Sequence, residues 1–244
     1  LGEHMLYERK ASNYNAEQIE ETLSQIEGWK RRSAETLYWE DVEVGDKLGP
    51  MILPPWSLQD QMCQDSVNSH TVGTGQNPGD TPITELEVLS FETHYKLMRQ
   101  RPGSARTHPN TRWPWTPGAE HEDALLAAFR GQPGPFDHGG QRFQIPQQLM
   151  TNWMGDDGFI RRMYSALRRP VYYADATTYT GEVVKKFTEV QKGVDGPGGT
   201  PGEAIYHAVG IKWQGANQIG EAQVPGTATV YLPSRNGGPV QLPV

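Results

Sequence analysis

The chain has 244 residues, enough for one large or two small domains. Its formal net charge is −7, which argues against a nucleic-acid-binding protein, because phosphate backbones require clustered Lys and Arg. The single cysteine, Cys63, excludes an internal disulfide and a cysteine-based zinc site. No apolar run reaches the ~18 residues of a membrane-spanning helix, and no basic-then-apolar leader is present. We therefore expect a cytoplasmic protein without nucleic-acid or membrane partners.

The first predicted element is an amphipathic helix over residues 16–33. Asn15 and Gln18 have the spacing of a capping box, and apolar residues then recur at helical intervals. The first four residues, LGEH, resemble the remnant of a purification tag. We therefore assign residues 1–36 to a tag remnant with a helical extension, and residues 37–244 to one domain.

The next part of the chain alternates short regular elements with long irregular ones. Four prolines and two tryptophans over 101–120 exclude regular structure there, and such a long irregular stretch is more often functional than idle. The predicted elements are strand–turn–strand over 38–55, a helix over 58–68 capped by Ser57 and Asp60, a loop over 69–82 and a helix over 84–98.

The remainder is predicted to hold one buried helix followed by a sheet. From Gly140 the apolar residues recur at helical spacing, with Pro146 near the first turn, where proline is tolerated. One long helix wrapped by an antiparallel sheet is an α+β arrangement. The elements that follow are a second short helix over 156–169 and three strands over 170–190, 203–215 and 226–234.

The stretch HEDALLAAFRGQPGPFDHGG, from His121 to Gly140, resembles the MaoC-like hot-dog dehydratases, the (R)-specific enoyl-CoA hydratase type. That family's signature has a histidine, a nearby acid, a short helix, a glycine-rich turn and Pro-x-x-His-Gly opening the central helix. Here His121 and His138 are 17 positions apart, as in the family. The resemblance covers roughly residues 38–235, and it implies a hot-dog fold with the antiparallel sheet around a central helix.

The sequence departs from the signature at one position. The family carries an aspartate five residues before the first histidine, and Thr116 stands there in this chain. The carboxylates near in sequence are Glu120, Asp123 and Asp137. We favour Asp137 as the replacement for this aspartate, and helix capping is the alternative role for Asp137. Asp123 is expected to cap a helix.

The resemblance implies roles for four residues. Hydration of an enoyl thioester needs a group that moves protons, and donors that hold the negative charge on the thioester oxygen. His121 would be the general base or acid, Asp137 its partner, and the amides of Gly139 and Gly140 the oxyanion hole at a helix N-terminus. The alternatives are an ordinary glycine turn and a surface histidine that caps a helix over 122–130.

Other residues receive weaker assignments. His138 is expected to shape the turn, and Asp156 either caps a helix or lines the acyl tunnel. Trp113, Trp115 and Trp153 are expected to be core or lid residues rather than specific ligand stackers, and a place in an acyl pocket is the alternative for them. The short basic runs are typical of solvated helix faces, and a patch for a phosphorylated cofactor is the alternative.

The function predicted from these residues is a hydratase or dehydratase acting on an enoyl thioester, on CoA or on a carrier protein. The alternatives are a non-catalytic hot-dog subunit that binds acyl thioesters or completes a partner's site, and an acyl-CoA thioesterase. We expect no metal and no cofactor beyond the CoA of the substrate. A homodimer, or a hetero-oligomer with another hot-dog subunit, is expected because a single hot-dog unit exposes sheet edges.

Overall fold

The computed structural model describes residues 9–10, 12–61, 63, 109–110, 119–193, 195, 199 and 201–241. The predicted loop over 69–82, the predicted helix over 84–98, and Trp113, Trp115 and Thr116 lie outside the described residues. The chain divides into two compact units. The first comprises Leu1–Ser12, Trp56–His138 and Tyr172–Ala174, and the second comprises Asn13–Pro55, Gly139–Val171 and Asp175–Val244. The predicted domain boundary at residue 37 stays a prediction.

The second unit is built on a five-stranded sheet in which every neighbouring pair is antiparallel. Its order is β1-β3-β4-β5-β2. The three strands predicted near the C-terminus are confirmed as β3, β4 and β5, with shifted ends. The strands are β1 (Lys47–Leu53), β2 (Phe159–Ser165), β3 (Thr177–Lys192), β4 (Glu203–Asn217) and β5 (Ala222–Tyr231).

One long helix packs on this sheet, as the sequence predicts. This helix, α3, spans Gln141–Met154. Leu149 and Met150 are buried on it and share one apolar cluster with Ile211 and Trp213 of β4. Burial of each such side chain stabilises the fold by about 1.5–3 kcal/mol. A strand, a helix and then four antiparallel strands make the α+β hot-dog arrangement that was expected.

Two predictions in the second unit are wrong. Residues 156–169 do not form a helix, because Phe159–Ser165 pairs along β5 as an edge strand. The first strand predicted within 38–55 is replaced by a 3-10 turn at Trp39–Asp41, and β1 is the strand that the described residues form there. Pro146 also lies further inside α3 than its first turn.

The N-terminal helix, α1, spans Ala16–Glu27 and is shorter than predicted because Gly28 ends it. The capping box is confirmed, since Asn15 and Gln18 each accept a hydrogen bond from the other's backbone N–H. No α1 residue is buried. In the described part of the chain, no helix combines the length and apolar character needed to cross a membrane.

The first unit holds short elements. Its helix α2 spans Ala124–Phe129 and follows a 3-10 turn at Ala119–His121. A helix begins at residue 58, and Ser57 and Asp60 cap it as predicted.

Candidate active site

His121 is held in one orientation by the backbone of the segment that precedes α3. Its Nδ1 lies 2.8 Å from the carbonyl oxygen of Phe136. A carbonyl oxygen only accepts hydrogen bonds, so Nδ1 carries the proton of the neutral ring. The basic lone pair is then on Nε2.

The surroundings of His121 favour its neutral form. Burial of the partly buried ring lowers the pKa of His121 below its ordinary value, and the neighbouring His138 adds to that lowering. The hydrogen bond to Phe136 and the charge of Glu120 act in the opposite direction. With the pKa lowered, the ring is neutral near pH 7 and can accept a proton there.

Gln61 fixes His138 in the same unit. The fully buried Gln61 accepts a hydrogen bond on Oε1 from the backbone N–H of His138, at 3.2 Å. Its Nε2 lies 2.6 Å from Nδ1 of His138. The structure therefore agrees with a turn-shaping role for His138. The sequence analysis missed Gln61, since no local pattern connects positions 77 residues apart.

The two imidazole rings lie against each other. The ring centroids of His121 and His138 are 4.1 Å apart, at an interplanar angle of 71°. Phe136 covers His121 as well, with a centroid distance of 4.2 Å. The residues that the sequence placed 17 positions apart are thus brought into contact.

Two carboxylates are near His121 in different ways. Asp137 is 1% exposed, and a hydrogen bond between its backbone and His121 raises the pKa of His121. Glu120 is 8% exposed, forms an ion pair with Arg130 at 3.3 Å, and supplies the negative charge that acts on the imidazole. A partner role for the Asp137 carboxylate stays a prediction.

Asp123 is confirmed as a helix cap. Its Oδ1 accepts hydrogen bonds from the backbone N–H groups of Leu125 and Leu126, at 2.8 and 3.0 Å. These are donors that the first turn of α2 cannot satisfy internally.

Gly139 and Gly140 precede α3 in the second unit, and Gly140 is its N-cap. Neither backbone N–H donates a hydrogen bond to any residue that the structure describes. A Cβ on Gly140 would meet no atom within 4 Å, while one on Gly139 would lie 2.7 Å from Cδ1 of Leu167. Within the described part of the chain, both amides therefore lack an acceptor, and Gly140 is exposed.

Arg142, in the first turn of α3, is a positive charge that the sequence analysis did not single out. It is 6% exposed, and its Nη1 donates a hydrogen bond to the carbonyl oxygen of Arg169 at 2.6 Å. Its Nη2 lies 4.0 Å from the position that a Cβ on Gly139 would take. The guanidinium therefore adds positive charge at the glycine turn.

The two described residues assigned to an acyl pocket line different clefts of the second unit. Trp153 packs against the core and lines a cleft of about 630 Å³ with Trp29. Asp156 lines a second cleft, of about 780 Å³, and pairs with Arg31 at 2.7 Å. The acyl-pocket assignments stay predictions. In the described ranges, no three His, Cys, Asp or Glu side chains are grouped as metal ligands.

No family model and no curated protein matches the chain. Several solved structures match the chain. The R-hydratase PhaJ1 from Pseudomonas aeruginosa is 16% identical, over 86% of this chain and 93% of that chain, with a TM-score of 0.49. The (R)-hydratase from A. caviae is 15% identical, over 80% and 99%, with a TM-score of 0.46. A MaoC-like dehydratase from Rhodospirillum rubrum is 15% identical, over 84% and 99%, with a TM-score of 0.44. The names of these structures include the family that the sequence resembles.

Proposed function

We propose that this protein adds water to the double bond of an enoyl thioester, or removes it in the reverse direction, with enoyl-CoA as the substrate. The observation that carries the proposal is His121. Its Nδ1 donates to the Phe136 carbonyl, its Nε2 carries the basic lone pair, and its pKa is lowered by burial. A neutral imidazole held in this way is equipped to move one proton.

In the hydration direction, Nε2 of His121 takes a proton from water as the water oxygen bonds to Cβ. The π electrons of the double bond move toward the thioester, whose oxygen becomes negatively charged. The imidazolium then returns a proton to Cα, and the ring is neutral again. Dehydration follows the same steps in reverse, and a positioned acid–base group contributes about 10²–10⁴-fold to such a step.

The negative thioester oxygen requires hydrogen-bond donors. We assign this role to the amides of Gly139 and Gly140, which follow His138 directly in the chain. Two observations support this assignment. Neither N–H donates a hydrogen bond to a described residue. The N-terminus of the adjoining helix also favours negative charge. Asp137 is proposed as the carboxylate partner of His121.

A non-catalytic subunit is the second candidate, and one observation favours it. Thr116 replaces the aspartate of the family signature, so the acid–base pair of that signature is incomplete in this chain. Such a subunit would bind an acyl thioester or complete the site of a partner hot-dog chain. It predicts that the purified protein binds the thioester without converting it.

One assay separates these candidates. The purified protein is mixed with crotonyl-CoA while the enoyl absorbance, free thiol and product mass are followed together. We expect loss of absorbance, gain of one water and no thiol release. Thiol release would indicate a thioesterase, and binding without turnover would indicate the non-catalytic subunit.

A further inference from the structure

A cleft of about 630 Å³ in the second unit has a basic lining. Its volume lies in the range of about 300–1,000 Å³ that is typical of small-molecule sites. Among the described residues that line it, three consecutive cations, Lys30, Arg31 and Arg32, are accompanied by one acid, Glu35. In a chain whose net charge is −7, a lining with an excess of positive charge favours an anionic ligand.

Arg32 fixes this basic segment to the end of α3. Its backbone N–H donates to the carbonyl oxygen of Asn152 at 3.0 Å, and its Nε donates to the carbonyl oxygen of Trp153 at 2.8 Å. Both carbonyls belong to the last turn of α3, where the helix supplies no donors of its own. The positive guanidinium also offsets the negative end of the helix. Arg32 therefore serves the fold and holds the cleft in place.

Lys30 and Arg31 are the two cations that a ligand can engage. Lys30 is exposed, and it forms no hydrogen bond or ion pair with any residue that the structure describes. Arg31 pairs with Asp156 at 2.7 Å, and the two side chains are 61% and 51% exposed. An ion pair this exposed contributes little to stability, so phosphate oxygens can compete with Asp156 for the guanidinium.

The cleft also has an aromatic lining. Trp29 and Trp153 are partly buried, line the cleft and pack against the apolar core. Indole rings stack on the flat faces of nucleotide bases. Asn152 lines the same cleft, and an asparagine amide can both donate to and accept from the edge of adenine. Basic side chains beside indole rings are thus suited to a nucleotide that carries phosphate groups.

We propose that this cleft binds the 3′-phosphorylated ADP part of CoA, with Lys30 and Arg31 on the phosphates and the two tryptophans against the adenine. The inference rests on the proposed function and names the carrier of the enoyl group, because the phosphopantetheine of a carrier protein has no adenosine. The cleft and Gly140 lie at opposite ends of α3, which has 14 residues and is therefore about 21 Å long. The extended pantetheine arm of CoA spans a separation of that order.

Binding is tested without catalysis by calorimetric titration of the protein with adenosine 3′,5′-bisphosphate. We expect saturable binding, and about tenfold weaker binding in Lys30→Ala and in Arg31→Ala, the effect of one lost charged contact. Lys212→Ala is the matched control and should bind like the wild type, because Lys212 is an exposed lysine of β4 that does not line the cleft. Asp156→Asn should bind the nucleotide more tightly, since it releases Arg31 from its ion pair. Inorganic pyrophosphate, which has no base, should bind more weakly than the nucleotide.

Kinetics connect the cleft with the reaction. Crotonyl-pantetheine has the same enoyl thioester as crotonyl-CoA but no phosphate and no adenine. The ratio of kcat/KM for crotonyl-CoA to kcat/KM for crotonyl-pantetheine should fall about tenfold in Lys30→Ala and keep the wild-type value in Lys212→Ala. A role of Lys30 in stability alone would lower both rates together and leave this ratio unchanged.

The outcomes separate the two proposals. If the nucleotide binds as expected but crotonyl-CoA is not hydrated, the proposed function fails and the nucleotide site stands. If crotonyl-CoA is hydrated but the wild type does not bind the nucleotide, or binds it no better than Lys30→Ala and Arg31→Ala, the inference is wrong and the hydratase stands. Pyrophosphate that binds as tightly as the nucleotide would contradict the contact with adenine.

Discussion

The imidazole of His121 donates a hydrogen bond from Nδ1 to the carbonyl oxygen of Phe136 at 2.8 Å. This hydrogen bond connects His121, the last residue of a 3-10 turn, with Phe136, which precedes α3 in the sequence. It leaves Nε2 as the basic nitrogen. The proposed chemistry depends on that assignment, and the predictions below test it from different directions.

The pH dependence of kcat/KM should reflect the lowered pKa of His121. Burial is the main cause, with Glu120 opposing and His138 reinforcing it. Only the neutral ring accepts a proton, so activity should persist below the ordinary histidine pKa of about 6.5 and fall as pH drops through the lowered value. An acidic limb at or above that ordinary value would contradict this account.

Glu120→Gln should move the same limb to lower pH. The negative charge of Glu120 raises the pKa of His121, so its removal lowers that pKa further. The shift can be measured by NMR titration of His121. The exposed neighbour Glu122 provides the control, since Glu122→Gln should leave the titration in place. Equal titration curves for Glu120→Gln and the wild type would argue against the coupling.

Gly140→Ala should leave the fold intact and reduce activity. The residue has φ −55° and ψ −39°, which alanine adopts without strain, and its Cβ would meet no atom within 4 Å. The free energy of unfolding should change by at most about 1 kcal/mol. We expect hydration to fall because the methyl group would crowd a thioester oxygen at the amide. Wild-type kcat in this variant would show that no substrate approaches there.

Asp123 separates capping from catalysis. Asp123→Ala should lower the free energy of unfolding by about 1 kcal/mol because α2 loses its cap, whereas Asp123→Asn should keep the hydrogen bonds to Leu125 and Leu126. Chemical denaturation measures both changes. Activity should survive in Asp123→Asn. If it is lost while stability is kept, the carboxylate takes part in the reaction.

Local rules explain what the sequence could predict. The cap at Asn15, the cap at Asp123 and the helix α3 depend on residues a few positions apart, and the structure has all three. The strand β2 was mistaken for a helix because an edge strand depends on pairing with β5, which is distant in sequence. The contact of Gln61 with His138 could not be predicted for the same reason, because the two residues are 77 positions apart in the sequence.

The most direct test compares the wild type with His121→Asn in crotonyl-CoA hydration. Asparagine can still donate to the Phe136 carbonyl but has no basic nitrogen in place of Nε2, so thermal unfolding should change little. We predict that the wild type hydrates crotonyl-CoA and that kcat/KM falls about 10²–10⁴-fold in the variant. Equal hydration rates in the two proteins would show that His121 does not carry the proton.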